Sequence, residues 1–495
     1  MDEQWRDEAL DVLLDPDLAP IVDMVLSRLA PDTFEAASTD GRVVFRRAGG
    51  GFEKLATEGD DPFADQSPDR LAGLAAERLD PHPHRRDNAY PFAHEQTAQL
   101  FDHPSAPDLC VVHSGAHNWQ DQGGHRGEHG SLGVLQARAP LVVAGKGVCK
   151  DGLVPRVARL VDITPTMADL LGVAPRPDGT YLSGQDGRVL TDLVDTGADR
   201  PAHLVGFLLD GANPNVLYAR AASGDAPNIA RLIAMGTVYE WGAIAGMPTV
   251  TLANHTSVLT GRYPGHHGIL HNAWWDRARG EQVITNSQAT WPSSMQHLVD
   301  GVESLHDAVH RTWPTAFTAS VNEPCDVGAD YSTFDFFRKG DVPPMPKSPD
   351  GLPHQTERFV RPSKDYSWST VVDHLAVEQA VGVWDGEYRG VTYPKPRFMW
   401  CNFTLTDAAF HEGGPLSEIA DASVRDTDAR VGEVLAAVER AGAFDDTAFL
   451  LVADHGMQQT DPACTGDWDR ALRDAGIPFR DEGYGFLYLG DGIEA

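Results

Sequence analysis

The chain has 495 residues, of which 42% are hydrophobic and 8% aromatic, as in an ordinary globular protein. Its 72 acidic and 40 basic residues give a formal net charge of −32, which disfavours binding to nucleic-acid polymers. No run of about 18 apolar residues indicates a membrane span, and the acidic N-terminus lacks the pattern of a signal peptide. We therefore expect a cytoplasmic protein. An anionic substrate would need a local positive centre, which a bound metal ion supplies.

The first part of the chain, up to residue 195, contains predicted helices and buried strands. Apolar residues at helical spacing at 5–14 and 21–29 predict a pair of helices, or one helix followed by a hairpin. Short apolar runs predict strands at 41–45, 108–113 and 139–145. A further helix is predicted at 161–172, with Thr164 as its N-cap and Gly172 at its end. The glycine-, aspartate- and proline-rich stretch 173–202 is predicted to be a linker.

The second part, residues 196–495, alternates between apolar strands and helices. Strands are predicted at 204–209, 398–405 and 447–453, and helices at 228–235 and 420–441. This alternation predicts a mostly parallel sheet covered by helices on both faces. Residues 273–395 have many aromatics and prolines but little periodicity, and we expect them to form a cap insertion over a site.

A polar loop at 246–250 runs into a short predicted helix that begins near Thr251. The free N–H groups and the dipole at a helix N-terminus suit a phosphate group. A threonine hydroxyl is a weak nucleophile, so Thr251 would need a base or a metal ion to activate it.

Three aspartates follow predicted strands, at the sheet edge where ligands bind in open α/β folds. Asp407 and His411 are one helical turn apart and can face one ion, and Asp454 is followed directly by His455. Alone, each such aspartate is most often a turn former. Together with Asp210 they suit Zn²⁺ or a similar divalent ion. Two ions about 4 Å apart would activate Thr251 and stabilise the leaving oxygen.

The order of these motifs resembles the type I phosphodiesterase/nucleotide pyrophosphatase branch of the alkaline phosphatase superfamily. The motifs are Phe207-Leu-Leu-Asp210-Gly, Pro248-Thr-Val-Thr251-Leu-Ala-Asn-His, His267-Gly-Ile-Leu-His-Asn272, Asp407-Ala-Ala-Phe-His411 and Ala453-Asp-His-Gly-Met457. The resemblance implies an α/β fold, an alkaline-phosphatase-like sandwich with a central mostly parallel β-sheet flanked by helices. It also implies two zinc ions, for which Mn²⁺ could substitute.

One zinc would be held by Asp210, Thr251, Asp454 and His455, and the other by Asp407, His411 and one more histidine. In the family that histidine lies in a Gly-x-His-Gly loop near the end of the chain, but no histidine follows His455 here. The upstream loop Gly127-Glu-His129-Gly130 fits, and we prefer His129 over the alternatives, which are His113, His117 and His125. The chain therefore resembles a circular permutation, in which 1–195 corresponds to the family's C-terminal part.

The resemblance implies that Thr251 attacks phosphorus and forms a threonyl-phosphate, which water then hydrolyses. Asn272 and the N–H of Leu252 would hold a non-bridging oxygen, and Asn254 is an alternative that more plausibly braces the loop. The expected substrate is a small anionic phosphoester. The aromatic positions that hold the base in nucleotide pyrophosphatases are Leu252 and Asn402 here, which argues against a nucleotide unless Trp274 or another aromatic residue substitutes.

The segment around Asn272 is also similar to phosphonoacetate hydrolase. We therefore place a phosphodiesterase first and a C–P hydrolase or phosphomonoesterase second. An inactive metal-binding module is a third alternative. The oligomeric state is not predicted.

Overall fold

The computed structural model describes residues 3–119, 124–341 and 364–490. Its strands are β1 (Val22–Ala30), β2 (Thr33–Ser38), β3 (Gly41–Ala48), β4 (Gly51–Gly59), β5 (Leu109–His113), β6 (Gly127–Glu128), β7 (Arg138–Gly145), β8 (Gly152–Val154), β9 (Ala158–Arg159), β10 (His203–Leu209), β11 (Gly236–Ile244), β12 (Ala273–Asp276), β13 (Glu281–Ile284), β14 (Thr318–Val321), β15 (Tyr331–Ser332), β16 (Glu387–Tyr388), β17 (Val391–Thr392), β18 (Phe398–Phe403), β19 (Thr447–Val452), β20 (Gln458–Gln459), β21 (Phe479–Glu482) and β22 (Phe486–Leu489).

Its α-helices are α1 (Glu3–Leu13), α2 (Leu74–Leu79), α3 (Ala93–Leu100), α4 (Val134–Ala137), α5 (Ile163–Leu171), α6 (Pro214–Ser223), α7 (Pro227–Ala234), α8 (Thr251–Thr260), α9 (Pro264–His267), α10 (Leu305–Thr312), α11 (Thr333–Lys339), α12 (Lys364–Asp385), α13 (Leu405–Gly413), α14 (Glu418–Arg440) and α15 (Trp468–Asp474). Within the described residues, no helix has both the length and the apolar character that a membrane span requires.

The central sheet has nine strands, with the path β15-β14-β18-β10-β19-β7-β11-β8 and with β9 beside β11. Strand β7 runs antiparallel to both neighbours, and the other pairs are parallel. Alternate residues of β10 enter two hydrophobic clusters, since Val205 and Phe207 pack in one cluster and Leu204 and Leu208 in the other. Burial on both faces explains the nearly continuous apolar run of this strand. The predicted α/β fold with a mostly parallel sheet is confirmed.

A second sheet of seven strands joins the two ends of the chain, in the order β21-β22-β5-β1-β2-β3-β4. Its pairs are antiparallel. Of the two arrangements predicted for the start of the chain, the helix pair is wrong and the helix followed by a hairpin is closer, because Val22–Ala30 forms β1 and pairs with β2 and β5. Helical spacing over so short a segment does not by itself distinguish a helix from a buried strand.

The described parts of the predicted cap, residues 273–341 and 364–395, pack into the core. Strand β14 joins the central sheet beside β18, and α12 packs against α13 and α14. Residues 342–363 of the predicted cap lie outside the described residues.

Residues 173–202 also differ from the predicted linker, because Leu182, Leu190 and Leu193 are buried in a core cluster. Helix α5 ends at Gly172 as predicted, with a φ of 83°. Thr164 is not its N-cap, since Asp162 occupies that position and the Thr164 hydroxyl donates to the Val258 carbonyl.

Candidate metal centre

The three predicted aspartates lie at the carboxyl ends of three adjacent strands. Asp210 follows β10, Asp454 lies two residues beyond β19, and Asp407 is in the first turn of α13, directly after β18. Because β18, β10 and β19 are parallel neighbours, their ends meet at one edge of the sheet. This position is the usual ligand-binding edge of an open α/β sheet.

Asp210, Asp454 and His455 form the first group of predicted ligands. The Nε2 atom of His455 lies 2.9 Å from Asp454 Oδ2 and 3.9 Å from Asp210 Oδ1. The Gly211 N–H donates to the other Asp454 oxygen, Oδ1, over 3.0 Å. That bond orients the Asp454 carboxylate so that Oδ2 faces the histidine.

Asp407, His411 and His129 form the second group. Asp407 Oδ1 lies 3.4 Å from His411 Nε2 and 3.8 Å from His129 Nε2. The His129 ring stacks on the ring of His455 at a centroid distance of 3.8 Å, so the two groups are contiguous. The upstream loop therefore reaches the sheet edge, and His129 is the candidate from that loop that joins Asp407 and His455 in a ligand cluster.

The other candidate histidines of the first part make different contacts. His113 Nε2 lies 3.2 Å from the backbone oxygen of His129. The His117 ring packs against Trp119 at a centroid distance of 4.2 Å, with the two rings tilted by 45°. His125 bonds Glu128 over 2.8 Å, and both lie beside His411 in a neighbouring cluster.

The hydrogen bonds of the predicted histidine ligands leave one ring nitrogen of each available. Nδ1 of His129, His411 and His455 lies 2.8, 2.8 and 2.9 Å from a backbone carbonyl oxygen. Nδ1 must therefore carry a hydrogen, and Nε2, which faces the carboxylates, is the nitrogen that could bind a metal ion. This arrangement of a histidine held by a second acceptor is typical of metal ligands.

Several buried atoms of the cluster have no hydrogen-bond partner among the described residues. They are Asp210 Oδ1, Asp407 Oδ1, Asp454 Oδ2, His255 Nε2 and His455 Nε2. Converging buried acceptors repel one another unless protons or a cation lie between them. Nitrogen and carboxylate oxygen donors fit Zn²⁺ and related divalent ions, so the residues present fit the predicted metal centre.

The electrostatics agree with a cation site. Burial, and next the charges of Asp454 and Asp407, raise the pKa of Asp210 to about 8. Burial lowers the pKa of a histidine, but Asp407 and Glu128 outweigh it at His411, whose pKa rises to about 10. Protons thus occupy the cluster when no cation does, and a metal ion would displace them.

Thr251 is the first residue of α8 and lines a cavity of about 180 Å³ together with Asp210 and Asp407. The loop before it is held by Asn254, whose Nδ2 donates to the carbonyls of Gly246 and Pro248 over 3.1 and 2.9 Å. Asn254 Oδ1 accepts from the Gly246 N–H over 2.7 Å. Asn254 therefore braces the loop.

The two predicted hydrogen-bond donors, the Asn272 side chain and the Leu252 N–H, are in contact with each other. The Leu252 N–H donates to Asn272 Oδ1 over 3.2 Å. This bond occupies the backbone donor and leaves the Asn272 Nδ2 group as the available one. Both groups were expected to donate to the same phosphate oxygen, but the Leu252 N–H instead donates to the Asn272 amide oxygen.

The remaining predicted substrate contacts separate into two sets. Leu252 and Asn402 line the cavity beside Thr251. Trp274 does not line it; it is buried in a hydrophobic cluster, with its ring edge-on to His297 at 5.7 Å. Its aromatic side chain stabilises the core, because the β12–β13 hairpin packs it inward. The aromatics of the cavity are Trp291, Phe334 and Trp368.

Sequence reasoning missed His255, which lies in a ligand cluster with Asp210 and Asp454. Its position four residues after Thr251 was an available signal, because residues i and i+4 share a helix face. The cavity aromatics Trp291, Phe334 and Trp368 carried no comparable signal, since they come from three separate elements.

The sequence has detectable relatives. The sequence model of the family "Type I phosphodiesterase / nucleotide pyrophosphatase" matches residues 204–492. An uncharacterised pyrophosphatase/phosphodiesterase of Schizosaccharomyces pombe is 22% identical over 259 residues, which cover 51% of this chain and 44% of that protein. The alkaline phosphatase PafA of Elizabethkingia meningoseptica is 32% identical over 109 residues, covering 22% and 19%. The chain thus spans less than half the length of these relatives.

Among solved structures, a murine ectonucleotide pyrophosphatase/phosphodiesterase 5 in complex with AMP aligns with a TM-score of 0.39 and 14% identity. That alignment covers 59% of this chain and 67% of the other. The family model, which spans more than half of the chain, shows that the protein belongs to the type I phosphodiesterase/nucleotide pyrophosphatase family.

Proposed function

We propose that this protein is a metal-dependent hydrolase of small phosphate esters, in the first place a phosphodiesterase, with Thr251 as its nucleophile. The observation that carries the proposal is the convergence of unpartnered Asp and His atoms at the sheet edge beside the N-terminus of α8. The family membership supports the same reaction class.

Two Zn²⁺ ions, or Mn²⁺, would be held by the two groups described above, with Thr251 completing the group of Asp210, Asp454 and His455. When bound, such ions act as Lewis acids that favour the ionised hydroxyl and neutralise phosphate charge. Thr251 Oγ then forms a bond to phosphorus as the bond to the leaving alkoxide breaks, giving a threonyl-phosphate. Water attacks the same phosphorus, breaks its bond to Oγ and releases the phosphate product with the threonine restored.

The chain's own donors orient the phosphoryl group. Asn272 Nδ2 would donate to a non-bridging oxygen, since the Leu252 N–H holds its amide oxygen. The N-terminal dipole of α8 stabilises the same charge. The ester group would enter the cavity lined by Trp291, Phe334 and Trp368, which favours an apolar or aromatic group.

The cavity beside Thr251 also admits a second candidate reaction, while His129, His411 and Asn272 line another cavity of about 550 Å³. The volume of the cavity beside Thr251, about 180 Å³, is below the roughly 300–1,000 Å³ of sites that hold drug-sized ligands. A phosphomonoester or a small phosphonate would therefore also fit. The second candidate is a monoester or C–P hydrolase that uses the same residues.

The test compares turnover of bis-p-nitrophenyl phosphate, p-nitrophenyl phosphate and phosphonoacetate by zinc-loaded enzyme. We expect the diester to be fastest; a faster monoester or phosphonate would select the second candidate. Zinc binding without turnover of any of the three would refute the proposed activity and support an inactive metal-binding module.

The nucleophile is tested with two variants of the same helix. Thr251→Ala should lower kcat by at least about 1,000-fold while the protein stays folded. Thr256→Ala is the matched control, because Thr256 Oγ donates to the Leu252 carbonyl and lines neither group of ligands. Turnover near the wild-type level in Thr251→Ala with metal bound would contradict the assignment.

We also infer that the family's segments occur here in a permuted order, with residues 1–195 in place of the C-terminal part. The family match begins at residue 204, yet His129 contacts Asp407 and β7 lies inside the central sheet. Helix α1 packs against α15, and β1 and β22 both pair with β5, so the first and last described segments lie in one part of the fold. A chain that starts at residue 196, with a short linker from residue 495 to residue 1, should fold and bind zinc; failure to fold would oppose this inference.

A further inference from the structure

We propose that His255 is an additional metal ligand of the Asp210–Asp454 group and that Glu323 holds it in place. The proposal rests on the metal-binding part of the proposed function and does not depend on the identity of the nucleophile. Neither residue belongs to the ligand set that the sequence motifs imply.

His255 points its Nε2 atom at both carboxylates of that group. The distance is 3.6 Å to Asp454 Oδ2 and 3.8 Å to Asp210 Oδ2. His255 is 1% exposed, and its Nε2 has no hydrogen-bond partner among the described residues. Both distances are too long for a hydrogen bond.

The spacing suits ligands that share an ion. Zinc bonds of about 2.0–2.2 Å to nitrogen and oxygen place tetrahedral neighbours about 3.3 Å apart. The distance from His255 Nε2 to Asp454 Oδ2 is a few tenths of an ångström longer than that separation. The 2.9 Å distance between His455 Nε2 and Asp454 Oδ2 is a few tenths shorter. Small side-chain movements therefore suffice to bring His255, Asp454 and Asp210 around one ion.

Glu323 determines which ring nitrogen of His255 is available. Its Oε2 lies 2.9 Å from His255 Nδ1 and accepts from Trp400 Nε1 over 3.1 Å, and its Oε1 accepts from the Cys325 N–H over 2.8 Å. Two N–H donors with fixed hydrogens define Glu323 as an acceptor. His255 Nδ1 therefore carries a hydrogen, and Nε2, which faces Asp210 and Asp454, is the nitrogen left to bind the ion.

Glu323 is completely buried, and a buried carboxylate must be compensated by its partners. The three donors that surround it, one of which is His255, supply this compensation. A carboxylate behind a histidine is a common second partner of metal-bound imidazole, because it fixes the ring and increases its basicity. Glu323 is thus a positioning residue, and His255 is the group that would contact the ion.

The position of His255 on α8 gives the proposal a structural consequence. His255 lies one turn after Thr251, so both side chains can face the same ion. With Asp210, Asp454 and His455, His255 would complete the four ligands of a tetrahedral zinc site, and the Thr251 hydroxyl would be a fifth ligand. The binding of the ion would then not depend on Thr251.

The first experiment counts histidine ligands in the wild-type protein and therefore needs no variant. X-ray absorption of the enzyme loaded with two Zn²⁺ should give an average of two imidazoles per zinc, from His129, His411, His455 and His255. An average of one and a half would mean that His255 does not bind, and it would overturn the proposal.

The second experiment measures zinc affinity by competition with a chromophoric chelator. His255→Asn and Glu323→Gln should each weaken one of the two zinc sites about 10- to 100-fold and change the Co²⁺ absorption spectrum. His306→Asn is the matched control, since His306 is also buried and lies in α10 away from the ligand clusters. Unchanged affinity and spectrum in His255→Asn would overturn the proposal.

The outcomes separate this inference from the proposed function. If Thr251→Ala retains turnover while His255→Asn loses zinc, the nucleophile is wrong and the ligand assignment stands. If Thr251→Ala is inactive and His255→Asn binds zinc normally, the proposed function stands and the ligand assignment is wrong.

Discussion

Replacement of His266 should destabilise the protein at acidic pH and have little effect at alkaline pH. His266 lies in α9, between two carboxylates from separate loops. Its Nδ1 is 2.8 Å from Asp186 Oδ2, and its Nε2 is 2.8 Å from Asp102 Oδ2. Only the protonated ring can donate to both.

The pKa of His266 gives the size and the sign of the effect. Burial lowers it, but Asp102 and Asp186 outweigh burial and raise it from 6.5 to about 9. At 1.36 kcal/mol per pH unit this corresponds to about 3 kcal/mol. Because the side chain is 30% exposed, solvent screening reduces the contribution to about 1–2 kcal/mol. The folded pKa lies above the unfolded one, so this stability is complete below pH 6.5 and is lost as the pH rises through 9.

The assay is urea unfolding of His266→Gln and wild type at pH 6 and pH 10. We expect His266→Gln to lower the free energy of unfolding by about 1–2 kcal/mol at pH 6 and by a few tenths at pH 10. His203→Gln is the control, because burial lowers the pKa of His203 instead of raising it, so its replacement should not cost more stability at pH 6 than at pH 10. An equal loss at pH 6 and pH 10 in His266→Gln would refute the reasoning.

Two further predictions concern the site. Gly211→Ala should weaken zinc binding at least about 10-fold, since the new Cβ would lie 2.7 Å from Asp407 Oδ1; Gly224→Ala, also at positive φ but with open space around it, controls for backbone strain alone. Equal zinc affinity in the two variants would contradict this account. Trp368→Ala should raise KM for bis-p-nitrophenyl phosphate about 5- to 10-fold with kcat unchanged, because Trp368 lines the cavity. Phe52→Ala, an exposed aromatic of β4, should leave KM unaltered, and a fall in kcat for Trp368→Ala would place this side chain in the chemistry instead.

The fold class could be predicted because its determinants are local. The apolar runs of β10, β18 and β19 are continuous, and each precedes an acidic residue, so a parallel sheet with a polar edge followed from the chain alone. The segment at 21–29 could not be assigned in this way. Its partners β2 and β5 bury it as a strand, and they are specified by pairing rather than by its own sequence.

Spacing along the chain also predicted which aspartates and histidines would meet. Asp407 and His411 share one turn of helix, and Asp454 and His455 are neighbours, so their proximity needs no tertiary information. The loop of His129 is distant in sequence, and it was found by its resemblance to a family motif. Its contact with Asp407 depends on how the upstream segment packs against the sheet edge.

The sequence by itself determined the α/β class, the strand-end carboxylates and the helix that presents Thr251, since each depends on periodicity or short-range spacing. Only the tertiary structure decided that Trp274 is a core residue, that β14 joins the central sheet, and that His255 faces Asp210 with Glu323 behind it. These features depend on contacts between separate elements of the fold. Packing and the burial of charge select such contacts, and local propensity does not encode them.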